Sequence, residues 1–174
     1  MDELLIAIQQ ENTKEQAFKT LVATYQKPLY YHIRRMTNNH DDANDILQNV
    51  FIKVYKNSTQ FKGDSSLYTW IFRIATNETL TFINKNKKHL SVDISQSNIS
   101  QQTSVDSDNT QQIEQKLAKA LAQLPDKQKQ VFVMRYYDEM PYEQMSEILE
   151  TSVGALKASY HHAAKKIEEF ILSH

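Results

Sequence analysis

Three aspartates stand at the spacing DDxxD in the stretch His40-Asp41-Asp42-Ala43-Asn44-Asp45-Ile46-Leu47-Gln48-Asn49-Val50-Phe51. Carboxylate oxygens suit a hard cation, and side chains three or four apart project from one helical face, so the stretch could hold magnesium against a diphosphate. Such an enzyme also needs a second acidic cluster on a facing helix and a large apolar cavity. The other acids are scattered singly or beside lysines, and two small helical bundles cannot enclose an isoprenoid chain. In the simpler reading Asp41 or Asp42 caps a helix and favours its dipole. Asp45, Gln48 and Asn49 are then left over, on a face that Lys53 and Lys56 continue. A face of short acids and amides either stays solvated or hydrogen-bonds another protein's helix, and pattern alone leaves both open.

Two further constellations point toward nucleic acid. In MPYEQMSEILETSVGALKASYHHAAKKI, residues 140–167, a short helix, a three-residue turn and a second helix capped by Ser152 match a helix-turn-helix, whose second helix enters the major groove. Gly154 falls in that helix's first turn, where a missing side chain lets a phosphate reach the backbone amides, and Lys157 follows one turn on. An ordinary helical hairpin with a solvated polar face fits the same spacing. The aromatic group Phe61, Tyr68, Trp70 and Phe72 surrounds Gly63, ahead of the tail Asn84-Lys85-Asn86-Lys87-Lys88. Positions 68, 70 and 72 point around most of a helical turn, so some rings should be exposed, as in single-strand binding where rings stack on bases and lysines meet phosphates. A set of rings shared between core and rim is the alternative. His161 and His162 diverge as neighbours on a helix, the other histidines lack partners in sequence, and no Ser-His-Asp order, P-loop or GxGxxG occurs. No catalytic machinery, cofactor or metal is expected.

The elements that must carry these residues are helical. Among 174 residues there are two glycines, three prolines and no cysteine, a composition against turn-rich β structure and against disulfides or thiolate metal sites. The acidic N-terminus and the lack of any run near the roughly 20 apolar residues of a membrane span predict a cytosolic protein without membrane insertion. A net charge of −1 excludes a uniformly basic surface. By segment, residues 1–88 carry 12 Lys/Arg against 9 Asp/Glu, and 113–174 carry 8 against 9. Residues 89–110, HLSVDISQSNISQQTSVDSDNT, are polar and aperiodic and read as a flexible linker between two small all-α domains. In the first, the spacing predicts helices through Ala17–Tyr25, from Pro28 to Met36, from a cap at Asp41 or Asp42 through Tyr55, and from about Leu67 to Asn84 after a cap at Asp64 or Ser65. In the second, helices carry Ile113–Leu124, Val131–Tyr137, Met145–Leu149 from Pro141, and Val153 to about Leu172.

The order of these pieces resembles the sigma-70 family of RNA polymerase sigma factors, specifically its small extracytoplasmic-function (ECF) type. DDANDILQNVFIKVYK resembles the family's polymerase-docking helix, FKGDSSLYTWIFRIATN its promoter-melting segment, and LPDKQKQVFVMRYYDEMPYEQMSEILETSVGALKASYHHAAKKI its second DNA-binding domain. The resemblance implies a region 2 domain over 1–88, a linker over 89–110 and a region 4 domain over 111–174. It implies a non-catalytic, cytoplasmic initiation subunit, nucleoid-associated through RNA polymerase. Asp45, Gln48, Asn49 and Lys53 would dock on the clamp coiled coil of the polymerase largest subunit, with the flap region as a further contact. Phe61, Ile74 and Asn77 would line a pocket for a base flipped from the −10 element, supported by Tyr68, Trp70, Lys85, Lys87 and Lys88. Ser152, Gly154, Lys157, Ala158, Ser159, His162 and Lys165 would meet the −35 element, and an anti-sigma protein would be the regulatory partner. The chain departs from the family at Glu150, where glycine is common in the turn, and at Ser159, His162 and Ala164, where arginines are frequent.

Overall fold

A computed structural model describes residues 3–92 and 109–173, and these are helical apart from their connections. Four helices form the first unit: α1 (Glu3–Gln9), α2 (Lys14–Thr37), α3 (His40–Asn57) and α4 (Leu67–Val92). The second holds α5 (Asn109–Ala122), α6 (Asp126–Phe132), α7 (Tyr142–Leu149) and α8 (Val153–Ser173). A 3-10 turn at Ser58–Gln60 follows α3, and a π-helical turn at Val133–Tyr137 continues α6. The linker expected at 89–110 falls mostly outside the described residues, and both of its ends are helical.

The two helices expected on either side of Pro28 are one. An interior proline removes a hydrogen bond and costs about 3 kcal/mol, yet α2 runs through it. Ala17, Leu21, Leu29, Ile33 and Met36 are buried along the whole of α2, so a break would strand half of that stripe. Pro28 itself is exposed, its ring kept clear of the packed side. The caps also differ from expectation. Asn39, not Asp41 or Asp42, caps α3: its Oδ1 accepts from the amides of Asp41 at 2.8 Å and Asp42 at 3.1 Å. Those two aspartates occupy the first turn, where their charge meets the positive end of the helix dipole. Ser66, not Asp64 or Ser65, caps α4, with Oγ accepting from the Thr69 amide at 3.1 Å. Ser152 caps α8 as expected, through the Ala155 amide at 3.3 Å. In both units the buried faces follow the 3.6-residue period, Ile46, Val50 and Val54 on α3 and Leu67, Ile71 and Ala75 on α4 being examples.

The units touch. Ile33, Phe72 and Ala75 of the first share a continuous apolar interior with Val131, Met134, Met140, Met145, Ile148 and Leu156 of the second. A smaller cluster, Leu121, Leu124, Phe132, Ala163 and Ile167, belongs to the second unit alone. The two modules, whose relative placement the sequence leaves open, are therefore packed against each other.

Candidate functional site

Three surfaces carry the candidate residues. On α3, burial of Ile46, Val50 and Val54 turns Asp45, Gln48, Asn49 and Lys53 outward, and all four are exposed. Ile52 joins them at 44% exposed, giving a polar face with an apolar centre, the anatomy of a surface that packs against another helix. Lys53 is not wholly free, since its Nζ pairs with the Glu78 carboxylate of α4.

The second surface is the aromatic step at the start of α4. Of the two arrangements the sequence allows, the rings take the one shared between core and rim: Phe61 and Phe72 are buried, Tyr68 and Trp70 half-buried, and they stack in pairs. Phe61 is buried and lies 4.7 Å from Trp70, centroid to centroid, with planes 24° apart. Tyr68 stacks on Phe72 at 4.3 Å and meets Tyr25 at 6.2 Å. Offset stacking satisfies the ring quadrupoles while sharing limited apolar space. Burial, helped by the negative charge of Asp138 and by Tyr25, pushes the Tyr68 phenol up from 10.0 to about 12. The loop before α4 is held by Gln9, whose Nε2 donates to the Phe61 carbonyl at 2.7 Å. Trp70 and Ile74 are half-buried, and Asn77, one turn beyond, is exposed. Asn77 lines a cavity of about 370 Å³ with Arg73, Thr76, Gln130, Thr151 and Ser159, and neither Phe61 nor Ile74 is part of that cavity's lining. Lys85 and Lys87 are exposed further along α4, but Lys87 Nζ sits 2.6 and 2.8 Å from the Asp126 carboxylate oxygens of α6. The side chain of Lys88 lies outside the described residues.

The third surface is the start and outer face of α8. Ser152, Gly154, Lys157, Ala158, His162 and Lys165 are exposed, whereas Ser159 is half-buried and turned to the cavity. A Cβ placed on Gly154 would meet nothing within 4 Å, so no neighbour in the fold demands the glycine. Lys157 Nζ stands 5.7 Å from the Tyr142 ring, a cation-π contact that holds it near the helix start. Glu150 ends α7 in the left-handed region at φ 51, the conformation for which glycine is favoured.

Sequence reading missed one polar group. His32 has no partner in the local sequence, yet its Nδ1 lies 2.6 Å from Asp138 Oδ2, 106 positions away, and both side chains are buried. Arg35 Nη1 approaches the other carboxylate oxygen at 3.7 Å. The only signal in the sequence was a histidine falling on the apolar stripe of α2; its partner comes from a π turn that no local pattern announces.

Residues 21–89 match the family description "Sigma-70 region 2" and residues 114–167 match "Sigma-70, region 4". Among curated proteins, the chain is similar to the ECF RNA polymerase sigma factor SigW of Bacillus subtilis, 29% identical over 170 residues and 89% of each chain. It is 26% identical over 181 residues to the ECF RNA polymerase sigma-E factor of Haemophilus influenzae, across 98% of this chain and 95% of that one. Among solved structures, CnrH in complex with the cytosolic domain of CnrY has the same fold at TM-score 0.71 and 19% identity, over 98% of this chain and 97% of that one. RpoE from Bartonella quintana, in complex with the anti-sigma factor NepR, also reaches TM-score 0.71, at 21% identity over 88% of this chain and 96% of that one.

Proposed function

Since the chain belongs to the sigma-70 family, we propose that its two units divide the work of initiation: residues 1–88 dock on core RNA polymerase and open the −10 element, 111–174 read the −35 element, and 89–110 join them. The protein is a promoter-specific transcription initiation factor related to the ECF type. The family's role is non-catalytic, and the chain contributes recognition and strand capture while the polymerase does the chemistry. The observation that carries the assignment is the order of regions 2 and 4 along one chain, with an outward polar face on α3 and an open helix start on α8.

Asp45, Gln48, Asn49 and Lys53 dock on the clamp coiled coil of the polymerase largest subunit, and the second unit meets the flap region. The Phe61–Trp70 stack forms the floor against which a −10 base comes to rest, with Ile74 and Asn77 along the same helix face and Tyr68 bracing the step. Lys85, Lys87 and Lys88 take the phosphate backbone. On α8, Ser152 and Gly154 offer backbone amides to a phosphate, Lys157 and Lys165 supply charge, and Ala158, Ser159 and His162 face base edges. An anti-sigma protein is the regulatory partner, in keeping with the solved complex of Bartonella quintana RpoE with the anti-sigma factor NepR. Its working place is the cytoplasm, at the nucleoid with RNA polymerase.

Purified protein should confer promoter-specific transcripts on its native core polymerase; absence of any such transcript across a genomic promoter library would overturn the assignment. Trp70→Ala is expected to impair strand opening more than recruitment. Permanganate reactivity of unpaired thymines, measured beside polymerase occupancy of the same promoter, checks that division, and equal loss of both would contradict it.

A further inference from the structure

The cavity of about 370 Å³ lies at the seam between the two units, walled by α4, α6, the turn after α7 and the first turns of α8. Its volume is that of a small-molecule site. From α4 come Arg73, Thr76, Asn77 and Leu80, spaced so that all four share one helical face. Two polar atoms of that face have no partner. Thr76 is 1% exposed, and its buried Oγ1 makes no hydrogen bond among the described residues; the same is true of the buried Nε of Arg73. Unpaired buried donors are rare in folded chains, and those that persist commonly meet a water, an ion or a ligand.

The rest of the wall is suited to an anion. Gln130, 4% exposed, brings a carboxamide, Ser159 a hydroxyl, and the exposed Lys127 an ammonium group. Thr151 and Ala155 place the start of α8 there, the positive end of a 21-residue helix dipole. Two carbonyls near the end of α7 that would repel an anion are already engaged: that of Glu147 accepts from Arg73 Nη2 at 2.6 Å, and that of Leu149 from Thr151 Oγ1 at 3.0 Å. Among the described residues the lining has one carboxylate, Glu150, which is exposed, against the two cations Arg73 and Lys127. Leu80, Val131 and Leu156 add an apolar side.

These groups select a ligand class. A neutral molecule would leave the cations unmatched, and a carboxylate offers two oxygens and a single charge. A phosphomonoester offers three oxygens and a charge of about −1.5 to −2, enough to meet a guanidinium, an ammonium and a hydroxyl together. The apolar side calls for an organic body on the phosphate. We propose that this cavity binds a small organic phosphomonoester, its phosphoryl oxygens held by Arg73, Thr76 and Lys127 and its body lying against Leu80, Val131 and Leu156. A ligand so placed covers Asn77 and Ser159 and competes with promoter DNA for them. That competition, unlike the binding, rests on the assignment of those two residues to the −10 and −35 elements.

The test uses phenyl phosphate, titrated calorimetrically into the full-length chain. One molecule should bind per chain with a Kd on the order of 0.1 mM, roughly fivefold or more below that of benzoate or inorganic phosphate. No saturable binding, or binding no tighter than that of those two, overturns the site. Thr76→Val keeps the side-chain shape and removes the hydroxyl, and should weaken binding about tenfold. Because it removes an unpaired buried group, it should leave the melting temperature of the free chain unchanged or higher; a lower one would show that the hydroxyl is used within the fold and would overturn the site. Lys127→Gln, at an exposed position, should weaken binding about threefold. Undiminished affinity in either variant overturns the site. With core polymerase and phenyl phosphate at ten times its Kd, promoter-specific transcription should fall by up to about tenfold, and by less with Thr76→Val. Undiminished transcription by the saturated wild-type chain overturns the competition, whereas a chain that binds phenyl phosphate yet directs no transcript without it overturns the initiation-factor assignment instead.

Discussion

At the residue scale, the rings of α4 show how neighbouring aromatics share one patch of apolar space. Tyr68 stacks on Phe72 and is braced by Tyr25, and its hydroxyl is held protonated by its surroundings. Its phenol rises from 10.0 to about 12 on folding, so the folded chain keeps a proton that the unfolded chain gives up. The contribution is therefore whole below pH 10 and is lost as pH climbs toward 12. Tyr137 and Tyr160 are also raised, by burial first, and titrate with the same sign. Tyr68→Phe is expected to make the alkaline decline in melting temperature shallower without abolishing it; an equally steep decline in the variant would show that the phenol is not the group responsible. The types and spacing of these aromatics were readable in the sequence. Their mutual stacking was not, because Phe61 reaches Trp70 across a loop whose course depends on Gln9 of α1.

At the element scale, most helices follow from apolar period and polar breaks, and the errors share a cause. The break expected before Pro28 rests on a local rule that the shared buried stripe of α2 outweighs. Helix α4, expected to end near Asn84, continues to Val92. The π turn after α6 likewise has no local signature in VMRYY; it is fixed by where Asp138 and Met140 must go, the Met140 amide reaching the Met134 carbonyl at 3.0 Å. The turn between α7 and α8, like the one at Glu139, has a sequence that works against its geometry. Glu150 adopts φ 51, and a side chain in that region costs roughly 1 kcal/mol relative to glycine. Glu150→Gly should raise stability by at most about 0.5 kcal/mol in urea unfolding, after the larger unfolded-state entropy of glycine is set against the relieved strain. A loss of stability would mean that the Glu150 side chain makes a compensating contact.

At the scale of the whole molecule, the two units share one interior, and this predicts how the chain unfolds. Trp70 is the sole tryptophan of the sequence and reports on the first unit, whereas helical ellipticity reports on both. In urea the two signals should move together in the wild type, as for one cooperative body. In Asp138→Asn they should separate; two transitions in the wild type would show that the seam carries little energy. The sequence by itself determined the helical class, the two units, the order of the candidate surfaces along the chain, and which face of α3 is outward, because period, caps and segment composition are local and repeat over many residues. Only the tertiary structure decided that the units close on each other and that His32 meets Asp138. Such contacts join residues far apart in the chain, and nothing in the local spacing of either partner encodes the distance between them.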